Sequence, residues 1–121
     1  MSKVKAPVSQ SKLLKKAQIV FNRWIRRRDE GLPCISCGSY ETAHASHYFS
    51  VGQFSGLRFD EVNVNASCVK CNTWLHGNLA MYRIGLVRKY GEEAVKDLEE
   101  RAGQLHKWDR ETLENLINKY K

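Results

Sequence analysis

An α+β domain is the fold class this sequence predicts, and three observations predict it. Apolar residues recur at helical spacing near both ends of the 121-residue chain. The stretch 34–67 between them is rich in Gly, Ser and aromatics without helical period, which reads as short strands and turns. Four cysteines stand in two CxxC pairs around that stretch, Cys34/Cys37 and Cys68/Cys71, with thirty residues between the pairs. Zinc takes four soft ligands in a tetrahedron, and a two-residue spacer lets both thiolates of a pair meet one ion. Two pairs therefore close one structural zinc site. A redox CxxC needs only one pair and a βαβ context, and four buried unpaired cysteines are the other alternative.

Each element follows in order. Residues 1–10 read as a flexible basic arm, with Pro7 opposing early helix. From Ser11 to Asp29, Leu14, Ala17, Phe21, Trp24 and Ile25 recur at three- and four-residue steps, one face of an amphipathic helix. Its other face carries Lys15, Lys16, Arg23, Arg26 and Arg27, and Gly31 and Pro33 stop it. Ser67 to His76 is expected as a short helix ended by Gly77. Asn78 is placed to cap a helix from Leu79 to Tyr90, with Leu79, Tyr82, Ile84, Leu86 and Val87 turned inward. Gly91 breaks it, Glu92 to Arg101 forms another, and Asp109 caps a last helix from Arg110 to Tyr120. The expected organisation is thus the arm, a domain over 11–95 holding the zinc site, and a helical C-terminal extension over 96–121.

Composition narrows the classes of function. A chain this small has a modest core and gains from a metal cross-link. It has no apolar run near 18 residues and no secretory h-region, so a cytoplasmic protein off the membrane is expected, its thiols reduced and free for metal. Twenty Lys and Arg against thirteen acids give +7, and residues 1–28 carry nine cations and no acid. Such a field favours a polyanion, because neutralised phosphates release counterions.

The segments FNRWIRRRDEGLPCISCG, HASHYFSVG, LRFDEVNVNASCVKCN and GNLAMYRIGLVRKYG carry a more specific signal. A histidine on a strand, an asparagine five residues before the second cysteine pair and an asparagine directly after it resemble the HNH, or ββα-metal, nucleases. Over roughly residues 12 to 91 the chain is similar to the NinG/Rap recombination nucleases of lambdoid phages. The resemblance implies a hairpin and helix clamping one divalent ion, and cleavage of branched DNA such as Holliday junctions and D-loops. It implies His47 as general base, Asn63 as the residue fixing the hairpin loop, and Asn72 as a ligand of a catalytic Mg²⁺ or Mn²⁺.

Many HNH sites place an acid immediately before the base, where this chain has Ser46, a poor ligand. His44 could substitute, or Asp60 or Glu61 could supply a carboxylate. His76 shares a helical face with Asn72 if both lie on one helix, which would make it a further candidate for the ion or the phosphate, a surface histidine being the alternative. Asn78 could contact the scissile phosphate or simply cap its helix. DNA grip is assigned to Lys15, Lys16, Arg23, Arg26, Arg27 and Arg28, extended by Arg83, Arg88 and Lys89. A homodimer would suit a junction, which takes two opposed cuts, and a recombination protein is a second candidate partner. The rival readings are a zinc module that binds nucleic acid without cutting it and an adaptor whose basic helix docks on an acidic protein.

Overall fold

The first helix, α1, spans Gln10–Arg28 because Ser9 caps it, its hydroxyl accepting from the Lys12 amide, and Gly31 takes a left-handed φ of 82° just past its end. The computed structural model describes residues 8–121, so residues 1–7 of the expected arm lie outside it. Two antiparallel strands follow, β1 (Thr42–His47) and β2 (Val64–Cys68), with a bulge between Thr42 and His44. His44 stands opposite Ser67, Ser46 opposite Asn65, and His47 opposite Val64. Three helices complete the chain: α2 (Leu79–Tyr90), α3 (Glu92–Arg101) and α4 (Arg110–Tyr120), the last capped by Asp109 accepting from the Thr112 amide.

Three expectations need correction. The helix expected from Ser67 to His76 is a single wide turn over Lys70–Trp74, because Ser67 and Cys68 are still paired in β2. His76, Gly77 and Asn78 then all sit at positive φ, so His76 does not share a helical face with Asn72. In α2, Leu79 and Ile84 face water while Tyr82, Gly85 and Leu86 turn inward. Gly85 is required there: a Cβ would stand 1.8 Å from the Ile35 carbonyl oxygen, so only glycine lets α2 lie against the first cysteine turn.

Two apolar cores hold the molecule. Leu13, Ala17, Val20, Phe21 and Ile25 of α1 meet Leu113, Ile117 and Tyr120 of α4, with Phe59 and Val64 beneath. Tyr82 and Leu86 of α2 meet Val95 and Leu98 of α3, with Ile35 and Leu57. The expected 96–121 extension is therefore divided differently: its boundary falls inside α3, and α4 shares the core of α1.

A polar hub ties these layers together. Asp29, 1% exposed, accepts from Arg28, from Lys89 and from the Ala66 amide. Asn65 accepts from Arg28, Lys89 and Tyr90 and donates to Tyr82 and the Val62 carbonyl. Burial alone would raise the Asp29 carboxyl, but the bonds from Arg28, Lys89 and Ala66 hold it below its ordinary value.

Candidate functional site

The four cysteine sulfurs lie within 4.8 Å of one another. Tight turns arrange them: the Gly38 amide donates to the Cys34 carbonyl, with Gly38 at φ 81°, and the Cys71 amide donates to Cys68 Sγ. Cys37 Sγ and Cys68 Sγ are 3.6 Å apart. A tetrahedron with Zn–S of about 2.3 Å has edges of about 3.8 Å, so the four thiolates fit zinc. Burial pushes the Cys34 thiol up, but amides of Cys37, Cys68 and Ser36 bring it down to about 7. Asn78 gives no side-chain cap to α2; its amide instead donates to Cys71 Sγ at 3.6 Å.

At the other end of the hairpin, His47 closes β1 and is half-buried. Its Nε2 lies 3.0 Å from the Arg58 carbonyl oxygen. That oxygen can only accept, so Nε2 carries the proton and Nδ1 is left as the basic nitrogen. Gln18 of α1 braces the contact, donating to the same carbonyl and accepting from Arg58 Nε. Burial, with the Arg58 charge, holds His47 below its ordinary pKa against the opposing pull of the Arg58 carbonyl. Asn63 is fully buried and locks the intervening loop. Its side chain accepts from the Phe49 amide and donates to the carbonyls of Phe49 and Leu57, the residue before Arg58.

Asn72 meets a different histidine. Its amide nitrogen is 2.9 Å from His44 Nδ1. Alternation along β1 sends His44 and His47 to opposite faces, and three strand residues span about 10 Å. His47 and Asn72 are thus not brought together. Ser46 and Ser67 lie on the His44 face, and both hydroxyls are buried without a hydrogen-bond partner among the described residues. The carboxylates are spent elsewhere: Asp60 pairs with Arg101 and caps the Val62 and Asn63 amides, and Glu61 accepts from Tyr120. His76 is exposed.

The cations divide into two groups. Lys15, Lys16, Arg23, Arg26 and Arg27 are exposed on α1 and have no ion-pair partner among the described residues. Arg88 is likewise exposed on α2. Arg28 and Lys89 are consumed by the hub, Arg28 also by the Glu61 and Val64 carbonyls, and Arg83 pairs with Glu99. Gln18, Arg58 and Asn65 are given no role by the sequence pattern, and Tyr82 only a place in the core. For Asn65 a signal existed: Val and Asn alternate from Val62 to Asn65, the period of a strand with a polar face.

The family model described as Bacteriophage Lambda NinG protein matches residues 2–121. "Protein ninG" of Escherichia phage 933W is 41% identical over 109 residues, covering 88% of this chain and 54% of that relative. The proteins of the same name from Escherichia phage lambda and Salmonella phage P22 are each 39% identical over 109 residues, covering 88% of this chain and 53% of each relative. The chain spans about half the length of these relatives. No solved structure matches it. With nearly its whole length matched, the chain belongs to the NinG family of bacteriophage proteins.

Proposed function

We propose that this chain is a metal-dependent DNA endonuclease of the HNH kind, acting on branched recombination intermediates such as four-way junctions and D-loops. The observation that carries the reading is the 3.0 Å contact between His47 Nε2 and the Arg58 carbonyl: Nε2–H donates to that oxygen, which leaves Nδ1 as the unprotonated nitrogen. A histidine held neutral with one free nitrogen is suited to take a proton from water. Asn63 supports it by clamping the loop from which that carbonyl projects. The hairpin followed at once by a helical turn carrying Asn72 has the ββα order.

His44 and Asn72 would hold the catalytic ion once the Asn72 amide, whose nitrogen faces His44 Nδ1, turns its oxygen toward the ion, with water or phosphate filling the remaining positions. Such an ion would stabilise the charge on the leaving oxygen. The free α1 cations would hold phosphates without reading bases.

A second reading, a zinc-held DNA-binding domain without hydrolysis, is favoured by the separation of His47 from the His44–Asn72 pair. One assay divides them: labelled four-way junction and linear duplex with Mg²⁺, with Mn²⁺ and with neither. The nuclease reading expects metal-dependent nicking, abolished by His47→Ala with zinc content and circular dichroism unchanged. Nicking retained by His47→Ala removes the base, and DNA binding with no nicking under any metal leaves the binding module.

A further inference from the structure

Two aromatic side chains hang from the zinc frame in equivalent places. Tyr40 lies three residues beyond Cys37, and Trp74 three residues beyond Cys71. They are 75% and 74% exposed, whereas Trp24 and Trp108 pack against the first core. An aromatic face left in water forgoes the free energy its burial would yield. The same sequence offset from two cysteine turns whose sulfurs cluster together points to one use for both.

We propose that Tyr40 and Trp74 form a stacking platform for unpaired DNA bases. Every base has a π-face, so such a platform recognises unstacked nucleotides irrespective of sequence. Between the two turns lies a surface cavity of about 450 Å³, lined by Cys37, Ser39, Glu41, Cys68, Val69 and Lys70. Ser39 and Glu41, the sequence neighbours of Tyr40, line the cavity from the first turn, and Val69 and Lys70 line it from the second. Glu41 is the one acid there, which leaves the exposed Lys70 as the phosphate-facing group in that cavity. A further cation is close: Arg26 of α1 lines a small cavity with Thr42, the strand partner of Cys68. Exposed aromatics on the same frame as the exposed cations Lys70 and Arg26 suit a single strand better than an apolar protein surface.

This inference rests on DNA being the partner, and unpaired bases occur at branch points. Its test measures binding of labelled oligo(dT), a blunt duplex and a four-way junction without added Mg²⁺ or Mn²⁺, so that cleavage plays no part. Trp74→Ala and Tyr40→Ala are each expected to weaken oligo(dT) binding about 5- to 100-fold. Blunt-duplex binding should move less than about twofold, since its phosphate contacts are untouched. Trp74→Phe should restore the single-strand affinity, and zinc content should stay at one per chain. Unchanged oligo(dT) binding in both alanine variants overturns the platform, as does an equal loss on duplex. Stacking without any nicking activity would instead overturn the nuclease reading and leave this one standing.

Discussion

Replacing Asn63 by alanine removes three side-chain hydrogen bonds from a fully buried position. The Leu57 carbonyl keeps a second donor, the Asp60 amide, but the Phe49 amide and carbonyl lose the partner the side chain supplied. Three lost bonds at about 1 kcal/mol each, with further cost for polar groups left unpaired, give an expected loss of about 3–5 kcal/mol. The measurement is urea unfolding at fixed free zinc, with the wild type alongside, since bound metal adds its own stabilisation. A second readout is the His47 ring by nitrogen-15 NMR. The wild type should show one tautomer with the proton on Nε2, and the variant a mixture, because the loop carrying the Arg58 carbonyl is loosened. A stability loss below about 1 kcal/mol would refute the reasoning, since an average surface substitution already reaches half of that.

Other expectations follow from the same coordinates. Gly85→Ala places a Cβ 1.8 Å from the Ile35 oxygen and should cost more than about 3 kcal/mol despite alanine's higher helix propensity. A thermal melt within a few degrees of wild type would contradict it. The His47 pKa is lowered, so its stability contribution is fully present above the unfolded value near 6.5 and is lost as pH falls through the folded pKa. Proton NMR titration should place its midpoint below 6.5, and a midpoint above that value removes the buried-base description. Stripping zinc, or Cys68→Ala, should unfold the hairpin and both cysteine turns, because structural zinc contributes on the order of 10 kcal/mol; retained circular dichroism in the stripped protein would count against it. Arg26→Ala with Arg27→Ala should lower the slope of log affinity against log salt by about 0.9 per lost contact, whereas Arg83→Ala, already paired with Glu99, should change it less.

The helices were legible where their ends carry chemistry of their own. Ser9, Asp109 and Gly91 mark boundaries with side-chain caps or positive φ, so α1, α3 and α4 lie within a residue or so of the pattern in the sequence. The cysteine frame was legible because ligand spacing is a local property. The turn after Cys71 was not, because the gathering of the four cysteine sulfurs and the positive φ angles at 76–78 override helical propensity there. Leu79 and Ile84 failed as core residues for a related reason: the close approach at Gly85 sets which face of α2 is covered. Among the site residues, Asn63 could be placed from the order of the motif, while the pairing of Asn72 with His44 depends on strand register and the bulge before it. Arg28 reads like its neighbours in sequence, yet a residue's neighbours in the fold decide whether its charge is available.

Asp29 also sets a lower limit on how short this chain can be made. One of its two cations arrives from position 89, sixty residues downstream, and the amide that completes its shell comes from position 66. A fragment ending before Lys89 would have to hide a carboxylate from solvent with half its counter-charge missing. A deletion series from the C-terminus should therefore lose stability as α4 and then α3 are removed from the two cores, and yield no soluble product once the cut crosses that lysine.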